Sequence, residues 1–300
     1  MIPDPKASQW WRAAAFALVA TCAVVAFTSS CGKSAPTSEQ HRRIISVGGA
    51  ITETVFALGA GDEVVAVDTS SIYPAAVHAL PKVGYQRTLS AEGILALSPD
   101  LLIVSEEAGP PATLAQLENA GVKIVRMPNA KTIDEAADRI LEVGKALDRP
   151  AQAIAEKLRA DAKAATARAT ASSGPTFALI YARGTGTLQV GGDDTAAVAM
   201  VTLAGGRNAI TTISGFKPLS PEVLIAAAPE VLVIPERGLA TIGGPAGLAA
   251  SPGVSATPAG NARRFVAYDD LLLLGFGPRL PSAIDELAKR LRAPTVASAP

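Results

Sequence analysis

Few side chains in this 300-residue sequence have the types and spacing that catalysis or metal binding requires. It contains two histidines, His41 and His78, and two cysteines, Cys22 and Cys31. No GxSxG, HExxH or CxxC motif occurs, so neither a serine hydrolase nor a zinc site is indicated. The GGDD turn at 191–194 lacks the Lys-Ser/Thr end of a phosphate loop. We therefore expect a protein that is not an enzyme.

The composition limits the classes of function and fold that the chain could have. The formal net charge is zero, which gives no electrostatic basis for a nucleic-acid partner. Hydrophobic residues make up 49% of the chain and aromatic residues only 4%, so the core must be mainly aliphatic. The length suffices for one large or two medium α/β lobes.

The first thirty residues have the pattern of an export signal. Lys6 and Arg12 precede an apolar run, Ala13–Phe27, that is too short for a comfortable membrane span. Cys31 follows closely and resembles a lipoprotein processing site, so we expect Cys31 to be lipidated and the protein to lie outside the cytoplasm. Ordinary signal cleavage and an uncleaved anchor remain alternatives, because Thr28 stands where such signals most often have leucine.

Beyond the signal, short apolar runs typical of strands alternate with helical spacing, which predicts mostly parallel α/β sheets. Thr132 and Glu135 have the spacing of a capping box, and Pro150 interrupts a long charged helical stretch. We predict two Rossmann-like lobes with mostly parallel sheets, joined by one long helix, with a ligand cleft between them. The predicted segments are a signal peptide (1–30), a flexible tether (31–42), an N-terminal lobe (43–131), a linking helical segment (132–173), a C-terminal lobe (174–293) and a disordered tail (294–300).

An internal repeat supports the division into two lobes. TLSAEGILALSPDLLIV starts at Thr88, and PLSPEVLIAAAPEVLVI starts at Pro218, at a constant offset of 130 positions. Each copy places a serine before a helical apolar pattern that leads into a strand pattern. The repeat therefore predicts the same capped helix and strand in both lobes.

Several of these motifs resemble one known family. RIISVGGAITETVFALGAGDEVVAVD, LPKVGYQRTLSAEGILALSPDLLIV, GGDDTAAVAMVTLAGGRNAI and LLLLGFGPRLP look like the periplasmic haem-binding proteins of bacterial haem-uptake ABC systems. The similarity extends from about Arg43 to Arg292. VGYQRTLSAEG and LLLLGFG are more specific to the haem branch, whereas the opening element and the LSxE…P element belong to the wider superfamily that also binds cobalamin and ferric siderophores. The resemblance implies two α/β lobes bridged by a long helix, with the ligand in the cleft.

The resemblance makes Tyr85, in VGYQR, the axial ligand of ferric haem. Ferric iron is hard and favours an anionic oxygen, and tyrosine is a known axial ligand of haem. Arg87 lies two residues on, on the same face of an extended segment, where its charge favours the phenolate form. A half-buried loop tyrosine beside a solvated arginine is the alternative interpretation.

The second lobe supplies further candidates for haem contact. Arg183 stands where some relatives have an iron-ligating histidine, and since arginine cannot ligate iron we expect high-spin ferric haem and a propionate partner instead. Lys217 occupies the repeat position of Arg87 and is expected on the opposite cleft wall. Arg279 is another propionate candidate, Tyr181 a weaker ligand candidate, and Tyr73 is expected near the cleft mouth.

Glu92 and Glu222 occupy matching positions in the two repeats. In the superfamily, one glutamate per lobe in this element docks onto arginines of the permease, so the resemblance implies that role here. The alternative is a capping-box glutamate, which requires no partner protein.

The sequence therefore predicts a monomeric extracytoplasmic binding protein that captures haem and delivers it to an ABC permease and its ATPase. A corrinoid or ferric-siderophore receptor of the same superfamily is the alternative function.

Overall fold

The predicted alternation of strands and helices is present in the structure, a computed structural model that describes residues 42–182 and 188–293. All of these residues belong to one compact unit. The predicted signal, Cys31, Arg183 and the C-terminal tail lie outside the described residues.

The first lobe is built on a four-stranded parallel sheet in the order β2-β1-β3-β4. Its elements are β1 (Ile44–Val47), α1 (Gly49–Ala57), β2 (Val64–Val67), α2 (Ala91–Leu95), β3 (Leu101–Ser105), α3 (Pro111–Asn119) and β4 (Lys123–Met127). Alternate residues of β1 and β3 pack into separate hydrophobic clusters on the two faces of the sheet, as the period of a strand requires.

Two helices link the lobes, α4 (Ile133–Leu147) and α5 (Gln152–Ala169). Thr132 and Glu135 form the predicted capping box at the start of α4. The helix ends at Leu147, with Asp148 as its C-cap just before Pro150, which confirms the predicted break. Helix α4 packs on the first lobe, and α5 packs between α4 and the last helix of the chain.

The second lobe contains a six-stranded sheet in the order β10-β9-β5-β6-β8, with β7 paired to β5. β10, β9, β5 and β7 are parallel, whereas β6 and β8 are antiparallel. Its elements are β5 (Thr176–Tyr181), β6 (Gln189–Gly191), α6 (Ala196–Leu203), β7 (Arg207–Asn208), β8 (Phe216–Pro218), α7 (Pro221–Ala227), β9 (Val231–Pro235), α8 (Glu236–Thr241), α9 (Gly244–Ala249), α10 (Pro258–Asn261), β10 (Phe265–Tyr268), α11 (Asp270–Gly275) and α12 (Leu280–Arg292).

The repeated sequence gives the same local structure twice. The hydroxyls of Ser90 and Ser220 accept hydrogen bonds from the backbone N–H of Gly93 and Val223, and so cap α2 and α7. These helices lead into β3 and β9, which confirms the predicted capped helix and strand in each lobe.

One hydrophobic cluster runs through both lobes. It includes buried residues of β1, α4, α5, β9 and α12, among them Ile44, Ile140, Ala162, Val233 and Leu287. The linking helices therefore form part of a continuous core, which holds the two sheets in a fixed arrangement. Within the described ranges, no helix combines the length and the apolar character needed to span a bilayer.

Candidate functional site

A cavity of about 1010 Å³ lies between the two lobes. The segments that follow β1, β2, β3 and β4 line one side, and those that follow β9 and β10 line the other. The carboxyl edges of both sheets therefore open into the same space, which is where α/β sheets bind ligands. Its lining includes Ile51, Ile72, Tyr85, Arg87, Glu107, Lys131, Arg139, Tyr181, Gln189, Asp194, Phe216, Arg237, Asp270, Leu271 and Leu274.

Tyr85 lies in the first-lobe wall, half-buried, on a loop whose backbone is fixed on both sides. The carbonyl of Gly84 accepts a hydrogen bond from Thr69 N–H, and the carbonyl of Gln86 accepts one from Gly109 N–H, at 2.9 Å each. Gly84 has a φ of 98°, a conformation that favours glycine. The Ser105 hydroxyl also donates to the Gln86 side chain. The loop therefore holds Tyr85 at the cavity without help from a ligand.

Asp68 fixes the neighbouring loop that forms the cavity floor. Its fully buried carboxylate accepts hydrogen bonds from the backbone N–H of Gly48 and Ser70 at 2.9 Å each, and from the hydroxyl of Ser71 at 2.6 Å. Gly48 and Ser70 both line the cavity. A buried carboxylate with this many donors is fully satisfied, so it orders the floor and is not itself a ligand group.

Arg87 lines the cavity beside Tyr85 and forms an exposed ion pair with Glu107. The side chains are 44% and 38% exposed, so solvent screens the pair and it contributes little to stability, about 0–1 kcal/mol. The guanidinium therefore remains available to a bound anion, because exchanging one weakly held partner for another costs little.

The second-lobe wall is aromatic near the antiparallel strands β6 and β8. The rings of Tyr181 and Phe216 pack with their centroids 4.8 Å apart and an interplanar angle of 41°. Both residues line the cavity with Gln189. This tilted pair offers aromatic surface on the wall that does not contain Tyr85.

Lys217 does not lie in the cavity wall, contrary to the sequence-based expectation. Phe216 pairs with Gly191 in the β6–β8 ladder, and Lys217 pairs with Val190, so the two faces alternate. Phe216 takes the cavity face, whereas Lys217 is exposed outside the lining. The repeat does not give Lys217 the position of Arg87, because the segment before α7 is a strand, whereas the segment before α2 is a loop. A haem contact of Lys217 stays a prediction.

Arg279 and Tyr73 are also outside the cavity lining. The guanidinium of Arg279 is paired with the buried carboxylate of Glu53 and lies 3.7 Å from the centre of the Tyr73 ring. In this structure the charge of Arg279 is paired with Glu53, and its propionate contact stays a prediction. Tyr73 packs on Arg279 at the side of the cleft.

Three cationic residues of the cavity lining were not predicted as site residues from the sequence: Lys131, Arg139 and Arg237. Lys131 and Arg237 follow β4 and β9 within a few residues, so the rule that ligands bind beyond the carboxyl ends of strands would have found them. The backbone N–H of Arg237 donates to Asp270 at 3.1 Å, and burial raises the pKa of the Asp270 carboxyl. Arg139 comes from the linking helix α4, and no local motif marks it.

Glu92 and Glu222 lie outside the cavity lining and are exposed on α2 and α7. The third helical positions, where a capping-box side chain belongs, are Gly93 and Val223, so the capping-box alternative is wrong. The Ser220 hydroxyl donates to the Glu222 carboxylate at 2.6 Å, which holds the pKa of that carboxyl below its usual range. Glu222 is therefore ionised and accessible at neutral pH.

No cluster of three or more metal-ligating side chains occurs within 42–182 and 188–293. The cavity lining offers two phenols, Tyr85 and Tyr181, one on each wall, together with cations, carboxylates and apolar side chains. This combination suits a large, partly anionic organic ligand.

Two solved structures share this architecture over most of the chain. The periplasmic heme-binding protein RhuT from Roseiflexus sp. RS-1, in apo form, is 45% identical with a TM-score of 0.77, covering 83% of this chain and 97% of that protein. The periplasmic heme-binding protein BhuT, in complex with two hemes, is 43% identical with a TM-score of 0.77 and the same coverage of both chains.

Two curated proteins are similar to this chain, one distantly over most of its length and one more closely over a third of it. An uncharacterised ABC transporter substrate-binding lipoprotein, YvrC of Bacillus subtilis (strain 168), is 24% identical over 84% of this chain and 81% of its own length. A vitamin B12-binding protein of Vibrio cholerae is 42% identical, but only over 33% of this chain and 35% of its own length.

The model of the periplasmic binding protein family matches residues 44–271, which include both sheets and most of the cavity lining. The match and the two-lobe architecture agree with the fold predicted from the sequence. This chain belongs to the periplasmic binding protein family.

Proposed function

We propose that this protein binds haem outside the cytoplasmic membrane and delivers it to an ABC import permease. The observation that carries the proposal is the position of Tyr85 on a fixed loop in the cavity wall. Two haem-binding proteins that are more than 40% identical share the fold that builds this cavity.

The cavity provides each kind of contact that ferric haem requires. The phenolate of Tyr85 would ligate the iron, with Arg87 beside it to stabilise the anionic ligand. Leu271, Leu274 and Phe216 would pack on the macrocycle, whose faces are apolar. Lys131, Arg139 and Arg237 are the cations of the wall, and Lys131 and Arg237 are the candidates for ion pairs with the propionates.

Delivery is proposed to use the surface that carries Glu92 and Glu222. The two carboxylates are exposed on helices that the repeat makes equivalent, so they would engage both subunits of a two-fold permease together. Two weak ion pairs that form on one rigid body add through effective concentration. We propose that the mature protein is a monomer held at the membrane by a lipid on Cys31, and the lipoprotein among its relatives supports this anchor.

A corrinoid is the second candidate ligand. The match to a vitamin B12-binding protein favours it, but that match covers a third of the chain. The two candidate ligands differ in the role that Tyr85 would have, because a corrinoid does not need a phenolate ligand from the protein.

A competition titration tests the proposal. The purified protein is titrated with ferric haem, with cyanocobalamin and with a ferric siderophore, and binding is followed by absorbance and by isothermal titration calorimetry. We expect saturable binding of haem that neither competitor displaces. Binding of cyanocobalamin or the siderophore in preference to haem would reject the proposal.

A further inference from the structure

A group of charged side chains at one edge of the cleft makes contacts from one lobe to the other. Glu53 lies on α1 of the first lobe with only 4% of its surface exposed. Its nearest counter-charges belong to Arg279, at the start of α12, and Arg139, on α4. A buried carboxylate that is paired across two lobes must hold those lobes in register, since separating them would leave it unpaired.

Arg279 reaches from the second lobe into the first. Its Nε donates to Glu53 Oε2 at 3.0 Å, and its Nη2 donates to Glu53 Oε1. The other face of the guanidinium lies on the ring of Tyr73, 3.7 Å from the ring centre. A bidentate pair on one side and an aromatic ring on the other fix both the position and the plane of the guanidinium.

Arg139 reaches in the opposite direction, from α4 to the second lobe. Its Nη2 donates to the carbonyl oxygens of Gly275 and Phe276, at 2.8 and 2.6 Å. These carbonyls end α11, where helix geometry leaves acceptors without intrahelical donors and favours a positive charge. Burial lowers the pKa of Arg139 to about 10, opposed by the charge of Glu53, so the guanidinium is still protonated at neutral pH.

The two arginines hold the segment 275–279 between them, and the start of α1 packs closely against a side chain of α11 beside it. A Cβ at Gly49, the first residue of α1, would lie 2.6 Å from Leu271 Cδ1 of α11 and 2.7 Å from the carbonyl oxygen of Ser70. Only glycine permits this approach. Leu271 and Leu274 of the same helix line the cavity, so the position of α11 sets the width of the cavity at this edge.

We propose that Glu53, Arg139 and Arg279 form an interlobe lock that positions α11 and keeps this edge of the cleft closed whether or not ligand is bound. The lock sets the cavity width before ligand binds, and ligand therefore enters and leaves at the other edges of the cleft. Its effect on haem retention rests on the proposed function, whereas its effect on α11 does not.

The test compares two identical substitutions. Glu53→Gln removes the charge shared by both arginines, whereas Glu63→Gln removes a partly buried ion pair with Arg149 that involves no residue of the second lobe. Hydrogen exchange of the α11 amides is measured in the haem-free protein by mass spectrometry. We expect exchange in Glu53→Gln to be roughly tenfold faster, equivalent to about 1.4 kcal/mol of local stability, and unchanged in Glu63→Gln. If the α11 amides of Glu53→Gln exchange at the wild-type rate, or if exchange is accelerated equally in both variants, the proposed lock is wrong.

Haem transfer to an excess of an acceptor globin then tests the consequence. We expect transfer from Glu53→Gln to be several-fold faster than from the wild type and from Glu63→Gln. If Glu53→Gln does not fold, Arg139→Met keeps an unbranched stem but removes the Nη2 donor that both carbonyls share, and the same acceleration of α11 exchange is expected. Failure of the wild type to bind haem would reject the proposed function, while the exchange result would still decide on the lock.

Discussion

The two walls of the cavity share a scaffold and differ in chemistry. Each lobe has a serine-capped helix that leads into a central parallel strand, at a constant offset of 130 positions. Gly215, however, stands at the repeat position of Tyr85, and the segment around it pairs as an antiparallel strand. The first wall thus presents a phenol on a fixed loop, and the second presents the aromatic pair of Tyr181 and Phe216. The repeat preserves the elements that build the cleft, whereas the residues that face the ligand have diverged.

Removal of the phenol should have the largest effect on haem affinity. We expect Tyr85→Ala to weaken haem binding by roughly a hundredfold, about 2.8 kcal/mol, because the iron loses its anionic ligand. The loop is held by backbone hydrogen bonds, so the melting temperature should change little. Tyr181→Ala is the matched control on the opposite wall and should weaken binding less. Equal losses in the two variants would remove the proposed asymmetry.

Arg87 and its partner should give opposite results in an absorbance titration. Arg87→Ala should weaken haem binding by roughly tenfold, about 1.4 kcal/mol, since the cation beside the phenolate is lost. Glu107→Gln removes the ion pair but leaves the cation, so affinity should be unchanged or higher. If both variants lose affinity equally, the ion pair matters only for the shape of the loop.

Strand alternation in β8 predicts a smaller difference on the second wall. Phe216→Ala should weaken haem binding by about 1 kcal/mol, because the aromatic contact with the macrocycle is lost. Lys217→Ala, at the next position and on the other face, should bind as the wild type does. A loss on Lys217→Ala with none on Phe216→Ala would restore the assignment made from the repeat alone.

The Glu92→Ala/Glu222→Ala double variant should show no change in haem affinity, because both side chains are exposed outside the cavity lining. Uptake by vesicles that contain the permease should nevertheless fall sharply. Neither glutamate is at the capping-box position, so the melting temperature should stay close to that of the wild type. Normal uptake by the double variant would exclude the docking role.

The sequence predicts what depends on local patterns and fails where tertiary contacts decide. Strands, helices, caps and the break before Pro150 follow from periodicity and from residues with strong conformational preferences. Arg279 stands beside a motif that resembles a haem-binding element, yet its charge is taken by Glu53, which is 226 positions away. No local pattern reveals a partner at that distance. Arg139 was missed for the same reason, since its acceptors lie 136 and 137 positions along the chain.

Ferric haem bound to the purified protein tests the central claim most directly, because the iron reports its own ligand. Absorbance and resonance Raman spectra are recorded for the wild type and for Tyr85→Phe, which keeps the ring and removes the oxygen. We predict a high-spin ferric spectrum with an iron–phenolate vibration in the wild type, and loss of that vibration in Tyr85→Phe. A vibration that persists in Tyr85→Phe, or a low-spin spectrum that is the same in both proteins, would contradict the assignment of Tyr85 as the haem ligand.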